Sequence, residues 1–461
     1  MGKTGLTLSI LASKRSAKSK DTTSISTPWR GSGQPVNIKG PSSSCSDVVS
    51  PQKFRNGEIH NWYRIKLGYS DHLVAGLLEE FKIQPDQTVI DPFCGTGTTL
   101  VECMKRGIDS IGMDANPSSL FSAKVKTNWR IKSSRLLALL EEIRDRQRKY
   151  LRRKAAFRED LTYQYIEKTG MLDRGWISPE PLRKAIAIKS NIADLRTTAE
   201  YRDALMLALI AEVIDEASNV KFGPELYCGP AKTDAAVFAG FSRLVESMAR
   251  DLNIVASTVY GTAKVVQGDA RKCDQFLING APRKYAAVIC SPPYPAEHDY
   301  TRNARLELAF LEEVTDKTTL RLIKKQMIRS HTKGLYKGDN DHKEIAGNVA
   351  IRSIVNRLKR RIKTKTHGFA RLYPIIVQEY FGGMKRHFSS ISKLLVPGAQ
   401  CAYVVGDQSS YLRVHIPTAE ILSTIAEDVG FKTVGIQHWR SRWSTTTSSE
   451  IHENILLLKK V

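Results

Sequence analysis

Two rhythms of apolar residues alternate along this chain. Short β-branched runs read as strands, and between them apolar residues return every three or four positions, as on one face of a helix. Leu73, Val74, Leu77, Leu78 and Phe81 make the first helical face, with Ser70 placed to cap it. Thr88-Val89-Ile90-Asp91 reads as a strand and runs into Pro92-Phe93-Cys94-Gly95-Thr96-Gly97-Thr98-Thr99. A helical pattern follows through Leu100, Cys103 and Met104, and Gly107 ends it. Asp109 to Met113 is a second strand, with Asp114 at its C-terminal end and Asn116-Pro117 just beyond.

From about Ser118 to Val255 the pattern is helical, with a stripe at Leu136, Leu137, Leu140 and Ile143 and a further helix from Tyr201 to Ala217. Ser218 to Pro230 reads as a loop. Ala263 to Gln267 is a strand that ends in Gly268-Asp269. Tyr285 to Cys290 is a buried apolar run that stops at Ser291-Pro292-Pro293-Tyr294. A helix through Leu306, Leu308, Phe310 and Leu311 comes next, then a long basic stretch. The remainder predicts a helix from Pro374 to Leu395 closed by Val396-Pro397-Gly398, and a strand from Gln400 to Val405 ending in Gly406-Asp407. A helix from Pro417 to Val429 stops at Gly430, and two strands follow, Phe431 to Trp439 and Ile455 to Lys459, joined around Ser441 to Glu450.

About seven strands alternating with helices imply an α/β fold with an open, mostly parallel sheet. Two connections, Asp114 to Ala263 and Tyr294 to Gln400, are far longer than simple crossovers need. Both leave C-terminal strand ends, the edge where open α/β sheets bind ligands. The division expected is a tail over 1–52, a cofactor half over 53–127, a helical insertion over 128–255, a catalytic half over 256–314, a basic insertion over 315–372 and the rest of the sheet over 373–461.

Charge changes the picture most. Lys and Arg total 70 against 47 Asp and Glu, a net +23. Between Lys317 and Arg371 there are 16 basic and 3 acidic residues. Such a concentration points to a polyanion, most simply nucleic acid gripped by its phosphates. The seven cysteines form no Cys-x-x-Cys pair and their number is odd. That argues against a disulfide framework or zinc site and for a reducing, cytoplasmic setting. No His, Cys and carboxylate group has metal-ligand spacing, so no metal is expected. No apolar run approaches a membrane span. Residues 1–52 are poor in large apolar residues and read as a disordered basic tail.

The chemistry gathers at strand ends. Gly95 and Gly97 let backbone pass close to a ligand, and the helix that follows can face its polar end. The loop lacks the Lys-Ser/Thr of a phosphate-gripping loop, which disfavours ATP. Asp114, about twenty residues after the first strand, can accept both hydroxyls of a ribose or simply cap a helix. Asp269 can line the same pocket or sit in a surface turn. In Ser291-Pro292-Pro293-Tyr294 the two prolines offer no N–H and have locked φ, so the loop is a rigid rim of acceptors beside an aromatic face. Such a rim suits a flat ring bearing an amine, as in a nucleobase drawn out of its stack.

Asp91-Pro92-Phe93-Cys94-Gly95-Thr96-Gly97-Thr98-Thr99 together with Ser291-Pro292-Pro293-Tyr294 resembles the S-adenosylmethionine-dependent amino-methyltransferases of DNA, the N4-cytosine and N6-adenine group. The resemblance covers residues 54–127 and 263–300, and more loosely 400–461. It implies a Rossmann-like, seven-stranded methyltransferase sheet and S-adenosyl-L-methionine as cofactor. Duplex DNA with a flipped base is the implied substrate, and a cognate restriction endonuclease a candidate partner. It further implies that the first string binds the cofactor, with Asp114, Asn116 and Asp269, and with Trp62, Tyr63 and Ser70 toward the methionine end. Ser291, Pro292, Pro293 and Tyr294 would be catalytic. The serine form is associated more with N4 of cytosine than with N6 of adenine. Many serine-form enzymes carry the catalytic motif ahead of the cofactor motif; here it follows. Cys290 reads as core, and no Pro-Cys pair supplies the nucleophile that C5-cytosine chemistry requires.

Overall fold

The computed structural model describes residues 57–64, 68–152, 156–222, 226–273, 284–363, 368–409, 411–444 and 449–461. The expected tail over 1–52 lies outside them. Seven strands form the main sheet: β1 (Thr88–Asp91), β2 (Asp109–Asp114), β5 (Ala263–Gln267), β6 (Tyr285–Cys290), β7 (Leu395–Gly406), β8 (Phe431–Ser444) and β9 (Ser449–Lys460). Their order is β5-β2-β1-β6-β7-β9-β8. Neighbours are parallel from β5 to β7, and β9 runs antiparallel to both β7 and β8.

Strand alternation builds two faces. Ile90, Val288, Cys290, Cys401 and Tyr403 point to one side, where α13 (Tyr373–Ser392), α14 (Thr418–Glu427) and α12 (Val349–Ile362) cover them. Val89, Ala287, Ile289, Ala402 and Val404 point to the other, against Leu73, Val74, Leu77 and Leu78 of α1 (Asp71–Glu80). Strands covered on both faces need apolar residues at every position, which is why β1 and β6 read as continuous apolar runs.

The long connection after α2 (Thr98–Met104), β2 and α3 (Pro117–Lys126) is helical: α4 (Ser133–Arg152), α5 (Leu161–Lys168), α6 (Pro179–Ala193), α7 (Ala199–Glu212) and α8 (Val237–Val255) share one apolar cluster. Residues 300–326 hold α9 (Tyr300–Asn303), α10 (Arg305–Phe310) and α11 (Lys317–Gln326).

Several boundaries depart from expectation. Within the stretch read as a loop from Ser218, β3 (Val220–Phe222) and β4 (Leu226–Cys228) pair antiparallel. Val396-Pro397-Gly398 lies inside β7 rather than closing α13, which ends at Ser392. The pairing of β6 with β7 shifts register there, and a bulge tolerates a proline that a regular ladder would not. The last two strands also extend beyond the expected turn: Ser441↔His452 and Ser444↔Ser449 are still paired.

Candidate active site

The sheet order reverses between β1 and β6. β1 leads to β2 on one side, while β6 lies on the other, with Val89 opposite Ala287 and Ile90 opposite Val288. Such a switch point opens a crevice beyond the carboxyl ends of the strands. The loops after β1 and β6 are the glycine loop and the Ser-Pro-Pro-Tyr loop.

On the β1 side, Gly95 and Gly97 have φ of 51° and 87°, a region that favours glycine. A Cβ on Gly97 would lie 3.2 Å from Ala123, so α3 packs directly on the loop. Gly112 on β2 is just as tightly enclosed, since a Cβ there would meet Leu100 and Cys94 within 2.9 Å. Asp91 is fully buried and accepts the Phe93 amide at 3.0 Å and the Tyr69 hydroxyl at 2.9 Å. Burial pushes its carboxyl up to about 7, against hydrogen bonds that pull it down. The Asp114 carboxylate accepts the Gly95 amide at 3.0 Å and the Asn116 amide at 2.8 Å, and burial raises its pKa too. Each Asp114 oxygen keeps acceptor capacity beyond those bonds. Thr99, wholly buried, donates to the Ile289 carbonyl at 3.2 Å and ties the glycine-loop helix to β6. Pro92, Thr96 and Thr98 are buried in the loop, and Phe93 packs edge-on to His387 at 4.9 Å.

On the β6 side, Ser291 Oγ donates to the Val404 carbonyl at 3.1 Å. The Tyr294 hydroxyl lies 3.4 Å from Ser291 Oγ and donates to Glu453 Oε1 at 3.1 Å. Arg440 Nε donates to the other Glu453 oxygen. The Tyr294 amide donates to the Tyr300 hydroxyl at 3.3 Å. Pro292 is buried, Pro293 partly so, and Cys290 is wholly buried with its thiol pushed far up by burial.

Other expected residues have partners elsewhere. Trp62 is buried in the helical cluster and donates to Asp251 at 2.8 Å. Tyr63 donates to Glu307 at 2.6 Å, and its carbonyl takes Lys126 Nζ at 2.5 Å. Ser70 occupies the N-cap position of α1 but makes no capping hydrogen bond. Asn116 caps α3 by accepting the Ser118 amide. Asp269 is gripped by the Arg271 guanidinium at 2.7 Å, and Arg271 also reaches Asp341 at 2.7 Å.

Tyr69 and Glu453 escaped the sequence reading. Glu453 did leave a signal, as an acid in the apolar phase that continues to Ile455 and Leu457. A cluster that sequence spacing does not reveal also forms, where His60, Asp71 and Glu102 bring ligand-type atoms within 4.8 Å of one another. Lys105 at 3.3 Å and Arg106 at 2.6 Å already lie on Glu102, so the protein's own cations meet its charge.

The basic insertion divides in two. Its first part is spent on structure: Lys324 bonds Asp299 at 2.5 Å, and the buried Arg329 bonds Asp339 at 2.8 Å. Burial works against the Asp299 charge, yet His331 and Lys324 hold that carboxyl down to about 2. Glu297 accepts the Thr332 amide at 3.0 Å, so this part clamps the segment that follows Tyr294. α12 differs. Ile351, Ile354, Val355 and Leu358 are buried, and Arg352, Arg357, Lys359, Arg360 and Arg361 are exposed. Arg357 and Arg361 donate to the carbonyls of His415 and Leu412, in the loop that leaves the C-terminal end of β7.

Residues 70–124, which span the glycine loop, β2 and Asp114, match the family model described as DNA methylase, of the N6/N4 methyltransferases. The chain belongs to the N6/N4 DNA methylase family. It is 24% identical over 436 residues to the Type II methyltransferase M.BsoBI of Geobacillus stearothermophilus, covering 86% of this chain and 83% of that protein. It is 23% identical over 409 residues to M.AvaI of a Nostoc species, covering 83% and 81%. An 80-residue match to M.MjaII of Methanocaldococcus jannaschii is 39% identical and covers 17% of this chain and 15% of that protein. S-adenosyl-L-methionine is the cofactor.

The residues fit it. Asp114 has acceptor capacity for a ribose diol, and Asp91 is a buried acid that accepts from neutral donors. An ammonium beside Asp91 would favour its ionised form. Without ligand the Asp91 proton stays on to about pH 7, and cation binding must expel it. Cofactor affinity is therefore expected to rise as pH climbs from about 5 to about 7, and Asp91→Asn to flatten that rise. Calorimetric titration across that range checks it.

Proposed function

We propose that this methyltransferase transfers a methyl group from S-adenosyl-L-methionine to the exocyclic amine of a base flipped from duplex DNA, with N4 of cytosine preferred. The observation that carries the reading is the Ser291 hydroxyl. Its proton goes to the Val404 carbonyl, so the oxygen presents lone pairs. An exocyclic amine is a poor nucleophile because its lone pair is delocalised into the ring. Acceptors on its N–H bonds, Ser291 Oγ and the Pro292 carbonyl, favour a pyramidal nitrogen with the lone pair turned toward the donor. The bound cofactor supplies a methyl group on a positively charged sulfur. The nitrogen lone pair forms the new bond, the carbon–sulfur pair returns to sulfur, and the displaced proton leaves to water. Tyr294 stacks on the base, and positioning supplies most of the acceleration.

The preference for cytosine rests on serine as the first residue of the loop. The relatives named as Type II methyltransferases support DNA as the substrate and a cognate restriction endonuclease as a partner.

Incubation with labelled cofactor and duplex DNA, single-stranded DNA or RNA, followed by mass spectrometry of the nucleosides, tests this. N4-methylcytosine from duplex DNA is expected. N6-methyladenine would move the acceptor to adenine, and label in RNA alone or nowhere would sink the reading.

The exposed face of α12 grips the DNA backbone in this reading. Among the described residues, no carboxylate pairs with Arg352, Lys359, Arg360 or Lys363. Replacing these four with glutamine is expected to weaken DNA binding. It should also reduce the slope of log affinity against log salt by about 0.9 for each phosphate no longer neutralised. Anisotropy titrations over a salt series measure the slope; an unchanged slope would remove α12 from the interface.

A further inference from the structure

We propose that Glu453 and Arg440 form a positioning pair that orients Tyr294 for methyl transfer. This rests on the amino-methylation reading above. Glu453 sits near the start of β9, opposite Gly406 of β7 on one side and Arg440 of β8 on the other. It is 4% exposed, and both its oxygens are engaged, one by the Tyr294 hydroxyl at 3.1 Å and the other by Arg440 Nε. β8 bulges between His438 and Arg440, and a bulge re-aims side chains. The extra residue brings Arg440 opposite Glu453.

A buried ion pair is a poor way to stabilise a strand, since an apolar pair would serve as well or better. Here the pair has another consequence. A tyrosine on a loop can rotate, and ordering it when a base arrives would cost free energy. The Glu453 tether sets the ring plane in advance. It also assigns the phenolic proton to Glu453, just as Val404 takes the proton of Ser291. Both hydroxyls therefore turn their protons toward the sheet. Val404 and Glu453 belong to adjacent strands, with Val404 opposite Ile455, so one patch of the β7–β9 ladder holds both.

The test is a mutant cycle on the full-length protein, reading kcat, the KM for DNA, the cofactor Kd and the melting temperature. Tyr294→Phe keeps the ring and loses the tether. It should lower kcat about tenfold while cofactor Kd stays within about twofold. Glu453→Ala should lower kcat at least as much, and the double variant no further than Glu453→Ala alone. Glu453→Gln keeps an acceptor for Tyr294 and should recover most of the rate, even if it melts earlier because Arg440 has lost its counter-charge. If Glu453→Ala does not fold, the cycle of Tyr294→Phe with Glu453→Gln replaces it. There Gln alone should cost little and Phe should dominate the pair. Tyr294→Phe at the wild-type rate, or losses that simply multiply, would overturn the inference while wild-type DNA methylation stands. Wild-type protein that methylates no DNA would overturn the underlying reading and this inference with it.

Discussion

Ser291→Ala is expected to cut the rate of methyl transfer by about two to three orders of magnitude, the usual loss when one preorganised hydrogen-bonding group is removed from a reacting centre. Cofactor binding should stay within about twofold, because Ser291 bonds Val404 on β7 and takes no part in the glycine loop. The fold should survive as well. The lost bond is one hydroxyl to one carbonyl, and Pro292 and Pro293 keep the loop rigid without it. Single-turnover transfer with labelled cofactor, alongside calorimetric binding, separates the two quantities. Loss of cofactor binding with retained chemistry would mean that the loop belongs to the cofactor and not to the base.

The second large effect concerns Asp114. Asp114→Ala is expected to weaken cofactor binding by about a hundredfold or more, from the loss of charged acceptors for a ribose. The loop loosens at the same time. Asp114 holds the Gly95 amide at 3.0 Å and the Asn116 amide at 2.8 Å, and both would lose their acceptor. Asp114→Asn keeps one acceptor oxygen and should fall between wild type and alanine. Titration calorimetry ranks the three, and an alanine variant within about fivefold of wild type would remove Asp114 from the cofactor site.

The central strands are legible in the sequence because each is covered on both faces, which demands the continuous apolar run that β1 and β6 display. The ends of β7, β8 and β9 are not. Ser441, Ser444 and Ser449 resemble a turn by type, and only the partner strand keeps them extended. Pro397 resembles a helix stop because local propensity cannot see a bulge formed against a strand more than a hundred residues away.

The same limit governs the site. Gly95, Gly97 and Asp114, and again Ser291 to Tyr294, are groups close in sequence, so spacing alone exposes them. Tyr69 reaches Asp91 over 22 residues, and Tyr294 reaches Glu453 over 159; no local pattern carries either bond. Charge counting fails in another way. It weighs Arg329, buried against Asp339, the same as Lys359, which lies open on α12.

The pairing of Val89 with Ala287 and Ile90 with Val288 has a kinetic side. It joins segments roughly 200 residues apart, and closing a floppy loop of that length is entropically unfavourable before any contact rewards it. The helices from α4 to α8 share their own apolar cluster within that span. If they collapse first, they shorten the effective loop and bring β1 and β6 within reach. Refolding should therefore show helix content rising well ahead of cofactor-binding competence, with the interval set by the meeting of these two strands.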